Sequence, residues 1–286
     1  MEESDVTKEN SMVLIQIKTA ADSLVKEKPF LNEVVRFYEK VFTFQHELDP
    51  DITKDFSFLR DTKDFPLLEK KDFFIDYENA QFLLKKICAL CMTSKIDADA
   101  TAEIVLDAME GSGFSLKTIV KGYLEGNMTM PLSIESKGGF NPQVFDFIIY
   151  NALKPSIVKS SKIAAYDLKG VDKSRQGRCP VCDNVPGISV FSRENGSRSL
   201  ICSFCWHEWE STRIFCPFCK NQDSKTLGYV AMEEEKGIRA DFCNNCKKYI
   251  KTIDLREYRG DFYLPLELIA SIPFDMKMNE EGFRAE

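Results

Sequence analysis

Four Cys-x-x-Cys pairs follow one another in the sequence: Cys179 and Cys182, Cys202 and Cys205, Cys216 and Cys219, Cys243 and Cys246. A two-residue gap makes a tight turn that aims both sulfurs at one point and brings following backbone N–H groups toward them. Each pair therefore supplies half of a tetrahedral four-sulfur site. Nineteen residues separate Cys182 from Cys202 and 23 separate Cys219 from Cys243, a spacing suited to paired metal-binding turns. The chemistry implied is thiolate coordination of two metal ions, each in a four-cysteine site. Zinc and iron both accept four thiolates tetrahedrally; zinc is the usual structural choice, and iron would add one-electron redox chemistry.

What must position these sulfurs is legible in the gaps between them. Ile188 to Ser192 and Arg198 to Ile201 are strand-like, and Asn195-Gly196 between them is a strong hairpin signal. Thr226 to Met232 and Ile238 to Phe242 flank the turn residues 233–237 in the same way. Each unit reads as turn, hairpin, turn, with a further strand expected after each, over 206–215 and 248–255. Only 10 residues lie between Cys205 and Cys216, so the sequence also permits a quartet of Cys202, Cys205, Cys216 and Cys219. The hairpins favour sequential pairing, because each already returns one pair to its partner at the cost of closing a short loop.

Other reactive residue types are read as structural. Cys88 and Cys91 sit in the helical pattern Leu83 to Met92 and are expected to pack in a core. His207, two residues after Cys205, is a spare ligand that eight cysteines make unnecessary, and His46 lies in a helical stretch. Two histidines and no partnered nucleophile argue against a hydrolytic site. Trp206 and Trp209 are expected to cover the first site's sulfurs, with a partner-binding role as the alternative. Lys247, Lys248 and Lys251 read as a solvated strand face.

The rest of the 286-residue chain sets the context. Its length allows two domains. Lys and Arg number 38 against 45 Asp and Glu, a net charge of -7, and metal held by thiolates adds further negative charge. That weighs against a nucleic-acid partner, whose affinity comes from clustered cations. The sequence has no apolar run long enough for membrane insertion, and its start lacks the pattern of a signal peptide, so a cytoplasmic protein is expected. In a reducing compartment, cysteines at this spacing read as ligands rather than disulfides.

Residues before 178 have helical periodicity. Leu31 to Phe42 (opened by Lys28 and Pro29), Phe73 to Met92, Asp97 to Glu110 (ending at Gly111 and Gly113), Phe114 to Leu124 and Val144 to Leu153 all read as helices. Asn141 and Pro142 enter the last of these, and Pro155 should end or kink it. The polar stretch Ser156 to Gly177 reads as a linker. The predicted fold is α+β: an all-α domain over 1–170 with the linker at its end, then a double four-cysteine domain over 171–286. That second domain comprises two tandem zinc-ribbon or rubredoxin-like β modules (site 1 about 178–214, site 2 about 215–255) and a short C-terminal helix at about 264–284.

Arg178-Cys-Pro-Val-Cys182, Leu200-Ile-Cys-Ser-Phe-Cys205, Glu208-Trp209, Arg213, Cys216-Pro-Phe-Cys219 and Cys243-Asn-Asn-Cys246 with Tyr249-Ile-Lys251 resemble the formate dehydrogenase accessory protein family, FdhE. The tail, Asp275 followed by Glu280-Glu-Gly-Phe-Arg284, is similar to that family's closing helix. More diffusely, Pro29, Phe37, Gln45 and Asn151 to Pro155 resemble its helical half. The first site departs in one place: Trp206-His207 follows Cys205 where a small residue is expected. The resemblance implies a cytosolic accessory factor needed for active molybdenum- or tungsten-dependent formate dehydrogenase. Such a factor binds the enzyme's catalytic subunit and carries rubredoxin-like iron or zinc sites.

Overall fold

The computed structural model describes residues 3–52, 65–111, 115–127, 137–166, 177–233, 235 and 237–285. Two compact units emerge: Met1–Lys54 with Lys70–Ser160, and Asp55–Glu69 with Ser161–Glu286. Eight α-helices and one sheet of six strands are present among the described residues.

The first unit is helical: α1 (Glu3–Glu27), α2 (Asn32–His46), α3 (Tyr77–Thr93), α4 (Asp99–Glu110), α5 (Leu116–Glu125) and α6 (Pro142–Ala164), the last running past the unit's boundary at Ser160. On α1, Ile17, Ala20, Ala21 and Leu24 recur at helical spacing and are buried. They lie in a stretch that the sequence reading did not assign. Pro29 opens a 3-10 turn, Pro29–Leu31, so α2 begins three residues later than Pro29 suggests. Asp76 caps α3, its carboxylate accepting from the N–H groups of Glu78 and Asn79 at 3.1 Å. Gly111 ends α4 as expected, while Gly113 and Phe114 fall outside the described residues.

Pro155 corrects the sequence expectation, because α6 neither ends nor begins a linker there and stays helical to Ala164. Proline has no N–H to offer the carbonyl four residues back, which belongs to Asn151. That buried carbonyl instead accepts from Gln45 Nε2 at 2.8 Å, and Gln45 also donates to Asn151 Oδ1 at 3.1 Å. A side chain from α2 thus replaces the missing helical donor. The remainder of the expected linker, 167–176, lies outside the described residues.

Cys88 and Cys91 are fully buried on α3. Burial pushes the Cys88 thiol up to about 12, helped by the neighbouring Cys91, and burial likewise pushes Cys91 up to about 11, against an ordinary value of 9.0. A thiol whose folded value is raised stabilises the fold fully below the unfolded value, and that contribution is lost as pH rises through the folded one. The contribution of these two thiols to stability is therefore expected to be complete up to about pH 9 and to be lost progressively between about pH 9 and 12. Alkylation mapped by mass spectrometry on the native chain should leave Cys88 and Cys91 unmodified at about pH 8. Labelling of both in folded protein would contradict this packing.

In the second unit, β1 (Pro186–Phe191), β2 (Arg198–Cys202), β3 (Glu208–Ser211), β4 (Leu227–Ala231), β5 (Ile238–Cys243) and β6 (Lys248–Asp254) form one sheet in the order β3-β2-β1-β6-β5-β4. Each ribbon supplies three antiparallel strands, and the two join through the parallel pair β1–β6, with Ile188 opposite Lys251 and Phe191 opposite Asp254. The third strand of the first ribbon is shorter than expected, Glu208–Ser211, because the chain is still turning at Trp206. At the second hairpin Gly237 has φ +79°, and a Cβ there would lie 2.7 Å from the Tyr258 backbone, so only glycine fits.

Strand alternation sorts this sheet's faces. One face is apolar: Ile188, Val190, Ile201, Ala240, Tyr249 and Ile253 pack with Phe274, Met278 and Phe283. Phe274 and Met278 come from α8 (Ile272–Glu280), which follows α7 (Leu264–Ala270). The single closing helix expected over 264–284 is thus two helices, each with proline in its first turn, and it stops at Glu280. Residues beyond Gly282 run beside β6, where Tyr249 N donates to Arg284 O at 3.1 Å. Lys251 is not a solvated lysine: its Nζ pairs with Asp275 at 2.8 Å while Tyr249 Oη donates to the same carboxylate at 2.6 Å, pinning α8 to β6.

Candidate metal centres

The eight cysteines converge as two quartets, Cys179, Cys182, Cys202 and Cys205 in one and Cys216, Cys219, Cys243 and Cys246 in the other, with the sulfurs of each within 4.8 Å of one another. The alternative quartet drawing on the second and third pairs does not form. No histidine takes part in either, so His207 and His46 remain outside them.

The hairpins achieve this as chain geometry requires. In ribbon one, the antiparallel β1–β2 ladder places Pro186 opposite Cys202, returning the chain to the turn it left. In ribbon two, β4–β5 pairs Leu227 with Cys243. The turns themselves share one conformation. Cys179 N donates to Asn184 O at 2.9 Å and Cys216 N to Asn221 O at 2.8 Å, while Asp183 N and Lys220 N return to Cys179 O and Cys216 O at 2.9 Å. The residue after the second cysteine of each pair has positive φ: Asp183 (57°), Trp206 (60°), Lys220 (63°) and Lys247 (58°). These are the only non-glycine residues in the described chain with positive φ. None can relieve the strain by being small, which costs each about 1 kcal/mol or somewhat more. Lys220 is exposed, so Lys220→Gly should remove strain without losing packing and raise stability by about 0.5 kcal/mol in chemical denaturation. A lowered midpoint would show that the lysine makes a contact that matters.

The segment 65–68 contributes a support that the sequence did not reveal. Leu67 N donates to Pro180 O at 3.1 Å and Leu68 N to Val181 O at 2.8 Å, fixing the first turn from outside. No cysteine or hairpin signal marks this stretch, and its role depends on a pairing more than 100 residues away in the chain.

The donor sets fit a tetrahedral ion. Sulfurs about 2.3 Å from a central metal would lie about 3.8 Å apart. The observed separations are 3.6 Å for Cys179–Cys205, 3.4 Å for Cys182–Cys202 and 3.5 Å for Cys182–Cys205 in the first quartet. They are 3.7 Å for Cys216–Cys246 and Cys219–Cys243 in the second. All are far longer than a disulfide bond of about 2.05 Å. Donors point at the sulfurs: Phe204 N and Cys205 N to Cys202 Sγ at 3.4 Å, and Asn221 Nδ2 to Cys243 Sγ at 3.5 Å. Burial pushes the Cys179 thiol up, and it raises Cys216 too, so assembling the thiolates depends on a cation to offset their charge. Burial pushes the Cys243 thiol up, but hydrogen bonds from the Cys246 backbone, Asn221 and other neighbours together outweigh it and bring it down to about 7.

The two sites differ in exposure. All four cysteines of the first are buried, whereas Cys219 of the second is exposed and Cys246 half-buried. Trp209 is buried on β3 opposite Leu200, and Trp206 packs against the sheet's apolar core.

Fold and site together define a protein with a helical unit and a tandem pair of four-cysteine ribbons fused into one sheet. Residues 214–286 match the family model described as FdhE, C-terminal domain. A "Protein FdhE homolog" of Aquifex aeolicus is 31% identical over 150 residues, 51% of this chain and 52% of that protein. One from Pseudomonas aeruginosa is 33% identical over 122 residues, 40% of this chain and 38% of the relative. The chain thus spans about half the length of the first curated relative and less of the second. The crystal structure of the FdhE protein from Pseudomonas aeruginosa superposes with a TM-score of 0.64 at 20% identity, over 94% of this chain and 92% of that one, and so shares the fold. The resemblance to the FdhE family holds in sequence, in the C-terminal family model and in architecture. No helix among the described residues is long and apolar enough to cross a membrane.

Proposed function

We propose that this protein is a non-enzymatic, cytoplasmic accessory factor for the assembly of active formate dehydrogenase. It binds the catalytic subunit of that enzyme through a surface held in shape by two metal ions, zinc or iron. The ligands are Cys179, Cys182, Cys202 and Cys205 at one centre and Cys216, Cys219, Cys243 and Cys246 at the other, in a ribbon domain over 171–286 that follows a helical domain over 1–170. The observation that carries this reading is the coincidence of two closed sulfur quartets on one sheet with an FdhE C-terminal match over 214–286. A four-thiolate centre has no vacant position for a substrate, so its work is to fix the loops around it. A net charge of -7 argues for a polypeptide rather than a nucleic-acid partner.

The test is genetic and biochemical. A deletion strain should lose formate dehydrogenase activity and regain it from the intact gene, and the tagged protein should co-purify with the enzyme's large subunit. Undiminished activity in the deletion strain would end this reading. One observation favours a second one, a rubredoxin-like electron-transfer or redox-sensing role: the exposed Cys219 brings the second centre to the surface. Elemental analysis with a visible spectrum separates the two, since a colourless chain holding two zinc ions has no redox centre.

A further inference from the structure

The polar face of the ribbon sheet encloses a cavity of about 250 Å³ between β4–β6 and the segment 213–218 that links the ribbons. Arg198, Arg213, Arg239 and Lys248 line it, and Asp241 is the one carboxylate among its lining residues. These cations are not equivalent. Arg198 is buried and engaged, donating from Nε to Ser189 Oγ and from Nη1 to Phe215 O, both at 2.8 Å, so it supplies fixed positive charge. Arg239 pairs through Nε with Asp241 Oδ1 at 2.8 Å, which leaves its terminal nitrogens for a ligand. Thr252 Oγ1 donates to the other oxygen of the same carboxylate, Oδ2, at 2.7 Å. The guanidiniums of Arg239 and Arg213 lie 4.8 and 5.2 Å from the centre of the buried Phe191 ring, which holds both side chains in place without taking their hydrogens.

Two guanidiniums whose terminal nitrogens are left for a ligand, at the wall of a cavity lined by four cations and one carboxylate, favour an anion there. We propose that this cavity is a binding site for a carboxylate with an apolar or aromatic body, held by Arg239 and Arg213 over the fixed charge of Arg198. Two planar guanidiniums suit a planar carboxylate. Charge decides against a dianion: four cations face Asp241 and the second cysteine quartet, which is doubly negative with a divalent ion in place, so only a small positive excess remains. The exposed Ile214 and Tyr229 at the mouth, 58% and 61% accessible, give the body of such an acid apolar cover. A free organic acid and a carboxylate ending a polypeptide offer the same chemistry.

Calorimetric titration of the metal-loaded full chain with benzoate, inorganic phosphate, and a capped pentapeptide ending in phenylalanine as free acid or as amide distinguishes them. Saturable binding of benzoate assigns a small acid, and binding of the free-acid peptide alone assigns a polypeptide terminus; phosphate should be weaker by about tenfold or more. Arg239→Gln should weaken the bound acid by about tenfold and Arg213→Gln by a smaller factor, with both variants keeping two metal ions. Arg213 is exposed, so its variant decides the matter if Arg239→Gln misfolds. The site is overturned if neither acid saturates, if phosphate binds as tightly, if the amide binds like the free acid, or if Arg213→Gln binds like the parent.

Discussion

Cys205→Ser is expected to release one metal ion per chain and to unfold the ribbon half of the protein. The sulfur is fully buried, 3.6 Å from Cys179 and 3.5 Å from Cys182, and a serine oxygen there is both shorter and a poorer ligand. Structural four-ligand sites contribute about 10–16 kcal/mol of apparent binding energy at neutral pH, as much as the whole stability of an ordinary domain. A ribbon of this size has no comparable apolar core to fall back on. Because β1 pairs with β6, the loss should spread into the second ribbon rather than stop at the first. Cys219→Ser should also cost one ion but leave more of the sheet intact, since that residue is exposed. A chelator should empty the second centre before the first for the same reason. Elemental analysis with far-ultraviolet circular dichroism reads each outcome, and a Cys205→Ser chain that kept two ions and native melting would contradict the assignment of that quartet.

The second large effect lies in the helical unit. Gln45→Ala should cost about 2 kcal/mol, because it strands a buried carbonyl that α6 cannot satisfy itself. Pro155→Ala restores the N–H that belongs to that carbonyl and should raise stability by about 1 kcal/mol or more. Combined, the two changes should not add: with the helical bond restored, the penalty for Gln45→Ala should shrink to below about 1 kcal/mol. Denaturant unfolding of the four members of this cycle measures the coupling. Strict additivity would mean that Gln45 acts through packing and not by replacing the proline's missing donor.

How far the sequence reached depended on the range of the contact involved. The Cys-x-x-Cys spacing and the Asn195-Gly196 turn are local signals, and they led to the right quartets because a hairpin closes over a short, self-contained loop. Helical periodicity in Leu83 to Cys91 placed those thiols in a core for similar reasons. Of the two outcomes expected at Pro155, an end or a kink, the end does not occur: α6 continues to Ala164, and the Asn151 carbonyl is served by Gln45, 106 residues earlier in the chain. The closing helix was misjudged at Pro265 and Pro273, which start new helices as readily as they end old ones.

The sequence by itself determined the two sulfur sites, the hairpins that close them and the helical character of the first half, because each is written in spacing and periodicity a few residues long. Only the tertiary structure decided that the two ribbons share one sheet through a parallel β1–β6 pair, that residues 65–68 brace the first turn, and that Arg198, Arg213 and Arg239 gather at one cavity. Backbone hydrogen bonds between distant strands carry no residue code of their own. Their partners are selected by which apolar faces α8 and the sheet can bury together, and that choice exists only once the whole chain has folded.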